Sequence, residues 1–202
     1  MRSRIEFRFK GERTYIQGPD MVDAAMREVM AAQMTARVSN LVFVMNRMTA
    51  RNLDLILDDE APPEATPVAR LSFEARGVTR RGILVERADG PAERLGYDER
   101  ELRARCRIDA GTRAIVLQGS SPFSAVETLV AMTKALHLAL YPDNPGQWLF
   151  GQLEAPCWPL VAVGEGVEIR LVQAVGTRLT KSAARLRGET FAWIYFSLKE
   201  RA

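Results

Sequence analysis

Hydrophobic and polar positions change period several times along this chain. The opening Ile5-Glu6-Phe7-Arg8-Phe9-Lys10 alternates apolar and charged side chains, the period of a half-buried strand, and Gly11-Glu12 turns it into Arg13-Thr14-Tyr15-Ile16. That pattern predicts a hairpin. After Gln17-Gly18-Pro19-Asp20, the positions Met21, Val22, Ala25, Met26, Val29 and Met30 recur at helical spacing, with Pro19 and Asp20 suited to a first turn. Extended apolar runs at 38–44, 52–57, 68–75 and 82–87 predict strands, with a Pro-rich acidic loop over 58–67 between the second and third.

The stretch 88–105 is charged, carries Gly90-Pro91 and Gly96, and has too few large apolar residues for a core segment, so it reads as a connector with one short surface helix. Beyond it the order restarts. Residues 106–117 are extended, Gln118-Gly119-Ser120-Ser121-Pro122 is a turn, and 123–141 is a helix apolar nearly all round, which predicts burial. Pro142-Asp143-Asn144-Pro145-Gly146 stops that helix, strands follow at 148–154, 167–175, 179–187 and 190–198, and Gly188-Glu189 closes the last hairpin. The halves share a detail as well as an order. Gly11-x-Arg13 leads to Gln17-Gly18 and a helix, and Gly111-x-Arg113 leads to Gln118-Gly119 and a helix, with one extra residue in the second copy. Duplication of a small domain follows: a first repeat at 1–88, a connector at 89–104 and a second repeat at 105–202.

With 202 residues and 47% hydrophobic positions, the chain can bury a sizeable core, and disorder is excluded as the dominant state. The 28 Lys+Arg against 25 Asp+Glu leave a net charge of +3, spread from Arg2 to Arg201 as on a solvated surface. No basic element with interleaved aromatics stands out, so nucleic acid is not an expected partner. Two cysteines, Cys106 and Cys157, cannot build a disulfide framework and fit a reducing compartment, the cytoplasm by default. No run reaches the roughly 18 to 20 apolar residues of a spanning helix, so membrane insertion is not expected. The single histidine, His137, lies deep in the second helix and reads as a packed or surface residue; Met21, Met26, Met30 and Met34 read as core.

A long apolar helix entered after extended segments and followed by antiparallel strands resembles the hotdog plan, once over residues 3–87 and again over 105–199. The chain thus resembles a tandem double hotdog, as in acyl thioesterases and hydroxyacyl-carrier dehydratases. The implied class is α+β: two antiparallel sheets, or one continuous sheet, each wrapping a long central helix. In the hotdog thioesterases a His-Gly-Gly or related turn precedes the central helix, and an Asp or Glu lies on its early turns. Gln118-Gly119 takes the turn position and Glu127 falls at the acidic one, while Val126-Glu127-Thr128-Leu129-Val130-Ala131-Met132 is also similar to the dehydratase helix. The dehydratase histidine has no counterpart before the helix. In the first half the position matching Glu127 lies close to Met26, with Asp20 and Asp23 earlier.

The resemblance implies chemistry on acyl thioesters in fatty-acid or polyketide assembly, with hydrolysis first, dehydration as the alternative, and a non-catalytic acyl-binding or scaffold subunit as a third reading. A helix N-terminus offers backbone N–H groups to the thioester carbonyl, here from Gly119 to Ser124. Gln118 orients the carbonyl or a water, Glu127 serves as general base or nucleophile, and Ser124 and Thr128 hold the water. Glu127 also fits a structural role, favoured by the helix dipole and within reach of Arg107 or Arg113. Ser121-Pro122 reads as an N-cap and first helical residue rather than a nucleophile, and Ser121 joins the substrate-binding set. No resident cofactor or metal is implied; coenzyme A or phosphopantetheine is the substrate's carrier, met by Arg-rich segments at 76–87 and 100–107. The expected partners are acyl-CoA or an acyl carrier protein, with a homodimer or a partner hotdog subunit.

Overall fold

Period-two alternation places one side of each strand inside, and in the computed structural model, which describes residues 1–58, 66–176 and 178–199, the strands dominate. Residues 59–65 of the expected acidic loop lie outside the described residues. The chain divides into two compact units, Met1–Tyr97 with Cys157–Pro159 and Asp98–Pro156 with Leu160–Ala202. It is a mostly antiparallel protein with few helices.

The first unit contains β1 (Arg2–Ile5), β2 (Phe9–Lys10), α1 (Gly18–Gln33), β3 (Val38–Met45), β4 (Leu53–Leu57), β5 (Ala69–Ala75), β6 (Val78–Glu86) and β7 (Arg94–Leu95). Five of these strands pair antiparallel in the order β1-β4-β6-β5-β3. Leu41, Phe43, Leu55, Leu57, Phe73 and Leu84 are buried among its core residues, each such burial stabilising the fold by about 1.5–3 kcal/mol. At Gly82 a Cβ would stand 2.6 Å from Leu57 Cδ2 and 2.9 Å from Leu71 Cδ2, so both leucine side chains would have to shift to admit one. The α1 face of Met21, Val22, Ala25, Met26 and Val29 is buried. Met34 is not part of that core. It is the C-cap, at φ 47°, and is 84% exposed, because the left-handed turn carries it away from the helix stripe.

The predicted opening hairpin does not form. Ile5 and Phe7 are buried as their alternation requires, but β1 pairs with β4, and β2 pairs in parallel with β7. The cause is a buried amide: Phe7 N–H donates to Asn52 Oδ1 at 2.9 Å, and Asn52 Nδ2 donates to Asp89 Oδ2 at 2.8 Å and to the Gly90 carbonyl at 3.1 Å. Asn52 thus ends the ladder at Phe7 and ties the strand to the segment before β7.

The second unit contains α2 (Glu99–Ala104), β8 (Cys106–Asp109), β9 (Ala114–Leu117), α3 (Ala125–Leu140), β10 (Gln147–Trp158), β11 (Glu168–Val175), β12 (Leu179–Leu186) and β13 (Glu189–Lys199). Its strands run antiparallel in the order β10-β13-β12-β11-β9-β8. The run 106–117 is two strands rather than one, because Asp109 Oδ1 accepts the N–H groups of Gly111 and Thr112 and folds the chain back. Helix α2 lies where a surface helix was predicted, yet Leu102 is only 1% exposed, so the connector contributes to the core. Arg187 and Gly188, at φ 52° and 88°, turn β12 into β13. Ten of the sixteen α3 residues are buried, too many for one amphipathic face, and α3 meets α2 as well as β8, β9, β11 and β13.

Asn52→Ala leaves the Phe7 N–H and the Asp89 side of the junction without their partner, and should cost about 1–3 kcal/mol in chemical denaturation. An unchanged unfolding midpoint would show that Asn52 does not hold this junction.

Candidate functional site

The sequence Ser124-Ala125-Val126-Glu127 has the Ser-x-x-Glu spacing of a capping box. Ser124 is the N-cap of α3, and its Oγ accepts the Glu127 N–H at 3.2 Å. The helix therefore starts two residues later than expected, and Ser121 does not cap it. Ser121 Oγ instead accepts the Phe123 N–H at 3.1 Å and lies 2.5 Å from Thr128 Oγ1, while Thr128 Oγ1 donates to the Ser124 carbonyl at 2.7 Å. A threonine hydroxyl has one proton, so Ser121 is the donor to Thr128. A single directed chain results, from Phe123 N–H through Ser121 and Thr128 to the Ser124 carbonyl. It spends both hydroxyl protons on the helix entrance, and Thr128 is fully buried.

The late start moves the free donors. The first N–H groups of an α-helix have no intrahelical acceptor, so the positive end of α3 is presented by Ala125 and Val126 rather than by Gly119 to Ser124. Glu127, the third helical residue, is 6% exposed. Upstream, Gln118 is exposed and its N–H donates to the Arg105 carbonyl at 2.7 Å; Gly119 sits at φ 110° with no atom within 4 Å of where its Cβ would be. Arg105 Nη1 donates to the Ser120 carbonyl at 2.9 Å and Nη2 to Glu101 at 2.7 Å. Arg105 thus fixes the 118–120 turn, a role no local sequence pattern announces, since its partners are two backbone groups far along the chain.

Along α3, Glu127 shares a face with Ala131, Ala135 and Leu138 by their i, i+4 and i, i+3 spacing. Those last three residues, with Met132, Leu102 and Cys106, line a cavity of about 130 Å³ between α3 and α2. Lys134 Nζ pairs with Glu99 at 2.8 Å across it, and the exposed Arg100 and Arg103 stand at its margin. Burial pushes the Cys106 thiol up to about 11, so at neutral pH it stays protonated, with its Sγ 3.3 Å from the Leu102 carbonyl.

The helix of the first unit carries the counterpart. Counted from its own N-cap, Gln17, the third helical residue is Asp20, so Asp20 and not a residue near Met26 matches Glu127. Asp20 Oδ1 accepts from Lys10 Nζ at 2.7 Å, and Lys10 and Arg13 both lie over the Tyr97 ring. Gln17 begins α1 directly, whereas Gln118 lies well before α3, so the paired Gln-Gly dipeptides are not equivalent positions. His137, in contrast to both entrances, is fully buried at the other end of α3, stacked on Trp148 at 4.4 Å between ring centres and 5.2 Å from Phe196. Neither ring nitrogen has a hydrogen-bond partner among the described residues.

No family model matches the sequence, and no curated protein matches it. Solved structures do. The tesB protein of Mycobacterium avium subs paratuberculosis superposes over 98% of this chain and 93% of its own, with a TM-score of 0.50 and 12% identity. A dehydratase domain of a mycocerosic acid synthase-like polyketide synthase covers 98% of this chain and 85% of its own at TM-score 0.48 and 12% identity. The dehydratase domain of RzxB from Pseudomonas fluorescens covers 97% and 94% at TM-score 0.45 and 13% identity. These proteins are members of the hotdog superfamily, and the likeness to the first shows that this chain has the hotdog fold. Among the described residues no helix is long and apolar enough to cross a membrane.

Burial pushes His137 down to about 4, and the backbone of Thr133 opposes that shift without overcoming it. A histidine held neutral in the fold but protonated near pH 6.5 when unfolded adds stability that is complete above that value and is lost as pH falls toward the folded value. Between pH 6.5 and 4 the urea midpoint should therefore fall, and His137→Phe should flatten that part of the profile. Identical slopes in the two proteins would contradict the burial of a neutral imidazole.

Proposed function

We propose that this hotdog chain processes acyl thioesters, and that its reaction is hydrolysis at the entrance of α3. The observation that carries the reading is Glu127: a carboxylate buried in the first turn of an apolar helix, on the same helix face as the cavity between α2 and α3. In this reading the thioester carbonyl lies against the N–H groups of Ala125 and Val126, with the open approach at Gly119 leaving room for it and Gln118 orienting it. Glu127 removes a proton from water as that water attacks, the C–S bond breaks, and the thiolate leaves with a proton returned from the carboxyl group. Ser121, Ser124 and Thr128 hold the turn against which the substrate lies. The acyl chain follows the apolar slot between helix and sheet, and the pantetheine arm of coenzyme A or of a carrier protein follows the α2 side, its phosphate met by Arg100 and Arg103. The architecture belonging to this reading is the duplicated hotdog, each sheet wrapping its own helix, with no resident cofactor. This reading puts the reaction in the second unit, at the apolar helix that carries Glu127 beside the α2 cavity, whereas Asp20 of the first unit pairs with Lys10.

Dehydration lacks its base, since the one histidine is sealed under Trp148 and Phe196. A non-catalytic acyl-binding subunit has a specific observation in its favour: Ser124 and Glu127 occupy the two positions of a capping box, a structural use for the same acid.

Glu127→Gln should lower the hydrolysis of acyl-CoA or acyl-carrier thioesters at least 100-fold, with an unchanged thermal midpoint. An equal rate in the variant would overturn the catalytic role, and acyl binding without hydrolysis in the native chain would select the silent subunit.

A further inference from the structure

The outer face of an antiparallel sheet that meets water carries polar side chains by default, because alternation sends the apolar ones inward. The first unit departs from this. Its register sets Ile56 opposite Ile83, Ile83 opposite Arg70, and Arg70 opposite Val44, which makes one rung across β4, β6, β5 and β3. On the next rung Arg81 stands opposite Ser72, and Ser72 opposite Val42. These two rungs line an open trough of about 650 Å³, a volume within the roughly 300–1,000 Å³ of small-molecule sites. Its floor is branched and apolar. Val42, Val44 and Ile83 are half-buried and Ile56 is 5% exposed, whereas Arg70 and Arg81 are exposed.

The charge at the trough is specific in sign. Asp58, the one acid lining it among the described residues, is already engaged: its carboxylate accepts from Arg80 Nη1 at 3.1 Å and from the Arg81 backbone N–H at 3.1 Å. Arg70 and Arg81 occupy diagonal positions on neighbouring strands, with the Ser72 hydroxyl opposite Arg81. Two guanidinium forks and a hydroxyl are donors to one oxyanion, and guanidinium binds a carboxylate through two parallel hydrogen bonds. A bare anion would leave the apolar floor wet, and a neutral hydrocarbon would leave both cations without use.

We propose that this trough is a binding site for an anionic single-chain amphiphile, a long-chain carboxylate whose head lies between Arg70 and Arg81 and whose chain covers Val42, Val44, Ile56 and Ile83. The site is independent of the α3 entrance and of the reaction assigned there. It takes a free acid, the chemical class released by thioester hydrolysis, without requiring that this chain release it.

Calorimetric titration of the full chain with dodecanoate below its micellar concentration tests the proposal, with Arg70→Ala/Arg81→Ala as the variant and dodecyltrimethylammonium and inorganic phosphate as probes of tail and head alone. Dodecanoate should bind the native chain at least 10-fold more tightly than the variant, at equal thermal midpoints, and Ile83→Thr should weaken it while Glu127→Gln leaves this difference intact. Equal affinity in the arginine variant overturns the site. So does equal binding of the cationic amphiphile, or phosphate binding as tight as dodecanoate. A native dimer that the arginine variant dissociates would assign the face to a second copy instead.

Discussion

Burial of α3 on nearly every side is the constraint from which the second unit follows. Each buried leucine or methionine of that helix stabilises it by about 1.5–3 kcal/mol, but every polar group carried inside with them costs about 1–3 kcal/mol if left without a partner. For its two buried threonines the helix meets that demand from its own backbone. Thr133 Oγ1 donates to the Leu129 carbonyl at 2.7 Å and Thr128 Oγ1 to the Ser124 carbonyl at 2.7 Å, so both threonines bond back four residues. Ser121 and Ser124 close the entrance by accepting the Phe123 and Glu127 N–H groups. What remains chemically distinctive is the carboxylate of Glu127 at one end and the imidazole of His137 at the other.

The two ends are treated differently. At the entrance, backbone N–H groups and the helix dipole favour negative charge, so an acid is well placed there. Deeper in, Trp148, Tyr141 and Phe196 surround His137 with rings and no charge, so the imidazole stays neutral. The same placement rule acts on α1, which also has an acid as its third helical residue, but Lys10 reaches Asp20 and converts it into an ion pair. One local rule thus places an acid as the third residue of both long helices, and on α1 a residue of β2 joins it in an ion pair.

Element type was legible wherever a pattern ran long enough. Both long helices, the strand runs 38–44, 52–57 and 68–75, and the last hairpin at Gly188 are in the sequence because period and turn residues are local properties. Pairing was not. Ile5 to Phe9 alternate as a hairpin strand should, but whether they meet Arg13 to Ile16 or β4 and β7 is decided by Asn52, some forty-five residues away in the Phe7 bond. The helix start was misplaced because Ser121 and Ser124 both offer cap chemistry and Pro122 favours the earlier one; only the partner of each hydroxyl separates them. Glu127 was legible from its place in the helix, while Arg105 was not, since it acts through backbone carbonyl and amide contacts of a turn.

Helix α3 is held as one unit with the sheet of its own half, so that its entrance is preorganised rather than frayed. Native-state hydrogen exchange under increasing urea measures this directly. Amides from Leu129 to Leu136 should exchange only through cooperative opening of the second unit, with a urea dependence matching that of β12 and β13. Exchange of the same amides through small, urea-independent openings, at rates like those of chain ends, would contradict it.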